Sequence, residues 1–199
     1  MEIRTLEPLT RAVMLMVAID AAGGPALLLA YHLSPSFYQM HAYSDMAYAW
    51  VDIAMVLWWL ATASTFCVWV MRAGNNLIAL GHRDLEFTPA SRIWWFFVPF
   101  MNLVRPYQAM RELWNASHGR QDLGDTVPLV AIWWGAWLLA NFGGLILIGV
   151  MERLDESLTT LYVQSVANVA LAAAAISLVR GIARGQALQR RIVLAEVFA

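Results

Sequence analysis

The chain has 199 residues, of which 60% are hydrophobic and only 14% charged, with a net charge of -1. A soluble domain carries about a quarter of its residues as charges, so this balance excludes an ordinary soluble globule and a nucleic-acid-binding basic domain, and it points to a membrane protein. The single cysteine, Cys67, excludes an intrachain disulfide and a paired-cysteine metal site.

Four apolar segments have the length a helix needs to cross about 30 Å of hydrocarbon. The first, at 12–31, carries Asp20 and Gly23-Gly24-Pro25. Its flank mixes Glu2 and Glu7 with Arg4 and Arg11, and no small-residue cleavage site follows it, so it reads as an uncleaved span. A polar loop at 32–45 leads to the second span, 47–71, with Tyr48, Trp50 and Trp69 near its ends in the manner of interface anchors. The helix is expected to run on to Leu80 and stop at Gly81. The third span covers 127–150 and the fourth 159–180, with a short acidic loop at 151–158 between them. The tail 181–199 reads as a separate amphipathic helix carrying Arg184, Arg190 and Arg191.

Between the second and third spans lies a box at 88–117. Thr88 is a good N-cap with Pro89 behind it. Nine apolar residues follow at 93–101, too few to span. Pro99 breaks the helix, Asn102 can cap a second one, and Leu103, Tyr107, Met110, Leu113 and Trp114 then line one stripe of an amphipathic helix ending near Gly119.

All thirteen basic residues are arginine. Six lie at 72–125, two in the N-terminal flank and four at 180–199, against none in the 32–45 loop and Arg153 alone in the 151–158 loop. The positive-inside rule then puts both termini and the box on the cytoplasmic side of the inner membrane. The expected fold is an all-α membrane protein: a single domain of four transmembrane helices, with a cytoplasmic re-entrant or interfacial helix-break-helix between spans two and three.

The run W-W-F-F-V-P-F-M-N-L-V-R-P-Y-Q-A-M-R-E-L-W-N-A-S, from Trp94 to Ser117, together with Trp69, Arg72 and Asn76 as W-x-x-R-x-x-x-N, resembles an uncharacterised bacterial membrane family, domain of unknown function 4328. The likeness is specific over 69–117 and departs from the pattern at Ala73-Gly74, where the family often has a basic residue or His after the arginine. It implies a multi-span bacterial membrane protein and no known activity.

Several residues invite a role. Asp20 near mid-bilayer costs about 2.5 to 3.5 kcal/mol to insert, so it is expected to face the bundle, with Asn141 and Asn168 at similar depth as polar partners. Arg92, Asn102, Arg105 and Arg111 suit an anionic lipid headgroup or phosphate near helix N-termini. Arg72, Asn76 and Glu112 are expected to tie the box to span two. Small residues Ala136, Ala140 and Gly144 on span three, and Ala172 and Ala175 on span four, permit close helix approach. His32, Met40, His41 and Met46 match no metal motif. No hydrolase, kinase or dinucleotide motif occurs, and no metal or cofactor is expected. The expected function is a non-catalytic accessory, assembly or sensing module that contacts membrane lipids and a membrane-protein partner or a second copy, not nucleic acid. Two alternatives stand beside it: a small transporter or channel component using Asp20, and a lipid-binding or lipid-modifying protein using the Arg-rich box, with Glu112 and His118 as its only acid–base candidates.

Overall fold

The computed structural model describes residues 3–34, 36, 49–143 and 157–198. Most of the 32–45 loop with Met40, His41 and Met46, residues 144–150 of the third expected span with Gly144, and most of the acidic loop at 151–158 lie outside the described residues.

The described residues form helices: α1 (Glu7–Leu33), α2 (Ala49–Ala79), α3 (Ser91–Trp94), α4 (Arg105–Ser117), α5 (Pro128–Leu138, running into a π-turn at Leu139–Gly143) and α6 (Ser157–Phe198). Three of them, Glu7–Leu33, Ile53–Ala79 and Thr159–Ala195, are long and apolar enough to cross a membrane. Pro128–Gly143 is apolar but shorter.

The spine is α6. Its 42 residues rise about 63 Å at 1.5 Å each, roughly twice the hydrocarbon thickness. The expected boundary between a span ending at 180 and a separate tail is therefore absent, and the tail is the second half of the same helix. Against α6 pack α1, α5, α4 and the end of α2. Pro25 does not interrupt α1. Beside it, Gly24 lets α1 lie so close to α6 that a Cβ there would overlap Ser165.

Burial is concentrated at one end of the bundle. On α2 the residues at 53–61 are largely exposed, whereas Trp69, Val70, Ala73 and Leu77 are fully buried. They join Met110, Leu113 and Ala116 of α4, Val130 and Trp133 of α5, and Leu178, Val179 and Ile182 of α6 in one core. The apolar halves of the long helices thus face outward, while their other halves build a well-packed head.

Trp69 illustrates the difference. Its place near the end of an apolar run suits a lipid interface, yet it is fully buried and its indole N–H donates to Thr10 Oγ1 of α1 at 2.9 Å. A buried indole N–H must find an acceptor, and Thr10 in the first turn of α1 supplies it.

Two glycines end helices as expected. Gly81 (φ 96°) closes α2, with its N–H on Ile78 O and the His82 N–H on Leu77 O. Gly119 (φ 67°) closes α4 in the same way, through Ala116 O and Asn115 O. Both are Schellman closures, which need a residue in the left-handed region.

A candidate functional site: the aromatic hairpin and its ionic clamp

The box at 88–117 is a hairpin whose first limb is short. Thr88 Oγ1 accepts the Ser91 N–H at 3.1 Å and starts a single helical turn. The chain then reverses at Pro99-Phe100-Met101. Phe100 takes φ 63° and ψ -40°, and the Met101 N–H reaches Pro99 O at 2.7 Å. This is a γ-turn of the rare, strained kind, centred on a bulky residue that is 85% exposed. A 3-10 turn, Met101–Leu103, leads into α4, with Pro106 in its first turn. Asn102 lies inside that 3-10 turn, and Val104, not Asn102, is the residue preceding α4.

The hairpin has two faces. Inward, Phe96 meets Trp134 and Trp137 edge-on at 6.1 and 5.9 Å, and Trp134 donates its indole N–H to Leu103 O at 2.9 Å. Outward, Trp94, Phe97, Phe100 and Met101 are exposed.

A buried ion pair clamps the limbs together. Arg92 Nη2 donates to Glu112 Oε1 at 2.6 Å and to Phe87 O at 3.1 Å, and its Nη1 donates to Ala109 O at 2.6 Å. Glu112 also accepts the backbone N–H groups of Glu86 and Phe87, at 2.6 and 3.3 Å. Each charge is thereby met by several bonds, the condition under which a buried pair is tolerated. Burial pulls the Arg92 guanidinium below its ordinary pKa, while the charge and hydrogen bond of Glu112 push it back up; arginine stays protonated under any ordinary condition.

This arrangement redistributes the residues expected to hold a headgroup. Arg92 is 1% exposed and committed to Glu112. Arg105 pairs with Glu86 at 2.5 Å, bonds Gln108 at 3.3 Å and lies over the rings of Trp95 and Phe87. Arg111 lies over Tyr107, its centre 5.6 Å from the ring centroid. The side chains of Arg92, Asn102, Arg105 and Arg111 do not converge on one open cavity. Arg111 lines a cavity of about 330 Å³ together with Asp84, Glu86, Glu112 and Asp122.

The expected ties to span two are also differently made. Glu112 turns to Arg92, and Asn76 turns to the N-terminal segment: its Nδ2 donates to Arg4 O at 2.8 Å and its Oδ1 accepts the Arg4 N–H at 3.0 Å. Asn76 Nδ2 also reaches Gln186 Oε1 at 3.2 Å. Gln186 in turn donates to Ala73 O and Ser117 Oγ at 3.0 and 3.1 Å. Besides the apolar packing of the two helices, the hydrogen-bonded link between α2 and α4 runs through Gln186 of α6. Arg72 is half-buried and makes no ion pair with a described residue.

Asp20, Asn141 and Asn168 are not joined. Asp20 and Asn141 are exposed, Asn141 donates to Trp137 O of its own helix, and Asn168 accepts from Gln164 of its own helix. The polar link between α5 and α6 is Gln164 Nε2 to Ala140 O at 3.1 Å.

Two glycines in the expected tail prove to seat α4. A Cβ at Gly181 would overlap the Trp114 ring, and one at Gly185 would overlap the Ser117 carbonyl. Their four-residue spacing is the close-approach pattern of packed membrane helices, a signal the sequence carries beside the arginines of the same stretch.

The fold and this hairpin define a helical membrane protein with an ionically clamped head at one end of its bundle. The chain belongs to the family described as Domain of unknown function (DUF4328), whose model matches residues 35–187. Neither a curated protein nor a solved structure matches it.

Proposed function

We propose that the protein is a non-catalytic accessory module of a bacterial inner membrane, which holds an aromatic hairpin in the cytoplasmic leaflet beside its spans. In this reading four helices cross the bilayer, both termini and the head lie in the cytoplasm, and the 94–104 turn dips into the leaflet and returns. The observation that carries it is the two-sided hairpin. Its polar side is closed by Arg92 and Glu112, while Trp94, Phe97 and Phe100 are 67%, 69% and 85% exposed. Apolar aromatics on a charge-clamped turn are suited to the headgroup–acyl boundary.

Supporting the non-catalytic part, the two acid–base candidates near the box are engaged separately. Glu112 is held by Arg92. His118 stacks on Trp114 at 4.3 Å and donates through Nδ1 to the Trp114 carbonyl at 2.8 Å. The transport reading, by contrast, rests on Asp20 alone, which gains no partner from Asn141 or Asn168.

The test places an environment-sensitive fluorophore on a cysteine replacing Phe100, in a Cys67→Ser background, in proteoliposomes. The reading expects blue-shifted emission quenched by shallow-labelled lipid. Emission like that of a fluorophore in water, unaffected by the quencher, overturns it.

A further inference from the structure

A groove of about 550 Å³ opens between the N-terminal segment and the second half of α6, lined by Arg4, Arg11, Arg180, Arg184, Arg190 and Arg191. Among the described residues, Glu7 is the one carboxylate in its lining, and Arg11 takes it as an ion pair. Among the described residues, the other five guanidinium groups have no carboxylate partner.

Positions 180, 184 and 191 fall within about 40° of one another on a helix, so three like charges share one stripe. Such neighbours repel, and nothing described in the chain offsets that. The walls are nevertheless built. The backbone of Arg4 is fixed by Asn76 at 3.0 and 2.8 Å, and Gln186 in the lining is 3% exposed. Ile3, Met14, Ala183, Ala187 and Leu194 add apolar surface to the same cavity.

Its depth follows from the helices. From Thr159 to Arg180 α6 rises about 32 Å, close to the hydrocarbon thickness, and the apolar run of α1 begins directly after Arg11. If both helices cross the membrane, Arg11 and Arg180 stand at the same edge, at headgroup level. Planar guanidinium groups bind phosphate through paired N–H bonds.

We propose that this groove binds a phosphate-bearing anion, and that its source is the headgroup of an anionic phospholipid whose glycerol end rests on the apolar part of the wall. The proposal depends on α1 and α6 crossing the membrane and not on the depth of the hairpin. Arg4, Arg11, Arg190 and Arg191 lie outside the stretch matched by the family model, so the groove combines the family region with this chain's own flanks.

The test uses the full-length protein in mild detergent micelles containing equal amounts of phosphatidylglycerol and phosphatidylcholine, with retained lipid counted by native mass spectrometry. Wild type is expected to favour phosphatidylglycerol by about tenfold. Arg184→Gln/Arg191→Gln and, as a second folding-independent arm, Arg180→Gln/Arg190→Gln are expected to reduce the preference to near unity. Arg83→Gln/Arg120→Gln, outside the groove, is expected to keep it. A wild type without preference overturns the proposal with no variant needed, and so does equal retention by wild type and both groove variants. Displacement of the lipid by millimolar pyrophosphate, but not by sodium chloride of equal ionic strength, overturns the lipid as the source and leaves a soluble phosphate compound in its place.

Discussion

The guanidinium of Arg92 and the carboxylate of Glu112 meet at 2.6 Å with both side chains withdrawn from solvent, and their contact spans the break at Pro99. One lies on the short limb of the hairpin and the other in the middle of α4, so the pair fixes the angle between the limbs. Removing one partner of such a pair strands the other charge. Arg92→Met and Glu112→Gln are each expected to cost about 3 to 5 kcal/mol. Arg105→Gln, whose pair with Glu86 is partly exposed, is expected to cost less than about 1 kcal/mol. Unfolding in mild detergent measures all three, and equal losses for Arg92 and Arg105 variants would remove the clamp from the account.

Asn76 holds the N-terminal segment by two bonds to the Arg4 backbone. Asn76→Ala is expected to speed amide exchange at residues 3–6 by about tenfold or more, the loss of roughly two hydrogen bonds, while exchange in α5 stays unchanged. Exchange at 3–6 no faster than in wild type would mean that other contacts secure this segment.

Gly185 and Gly181 receive α4 where a side chain would meet Ser117 O and the Trp114 ring. Gly185→Ala is expected to destabilise by about 1 to 3 kcal/mol through overpacking. Gly181→Ala meets a side chain that can rotate and is expected to cost less. Gly23 has open space around it, and Gly23→Ala is expected to be neutral or stabilising. Thermal midpoints in one detergent give the order, and a Gly23 variant worse than the Gly185 variant contradicts the seating of α4 on α6.

Phe100 holds the strained γ-turn at φ 63° and ψ -40°. Relief of that strain makes Phe100→Gly stabilising by about 1 kcal/mol, whereas Phe100→Val, β-branched at positive φ, is destabilising by a similar amount. Both variants lose the aromatic ring, so the difference between them isolates the backbone. Equal midpoints would place no strain at this turn.

Much of this was legible locally. Gly81 and Gly119 announce helix ends because few other residues take the required φ, and Thr88 with Pro89 marks the start of a turn. Pro99 marks the reversal. The rest is carried by contacts between distant stretches. A tryptophan at the end of an apolar run reads alike whether it faces lipid or core, and Trp69 is decided only by Thr10, 59 residues away. Glu112 has Arg92, Arg72 and Arg105 within plausible reach, and the folded turn selects among them. The arginine groove joins residues 4 and 11 to residues 180–191, which no local pattern connects. The Arg-rich tail reads as a separate surface helix because its charges outweigh Gly181 and Gly185, which carry α4.

The central claim is that the hairpin enters and leaves the membrane on one side. Cysteines replacing Arg83 and Arg120, one at a time in a Cys67→Ser background, can be labelled with a membrane-impermeant maleimide in oriented inner-membrane vesicles. The account predicts that both react from the cytoplasmic face and neither from the periplasmic face. Labelling of position 83 from one face and position 120 from the other would contradict it.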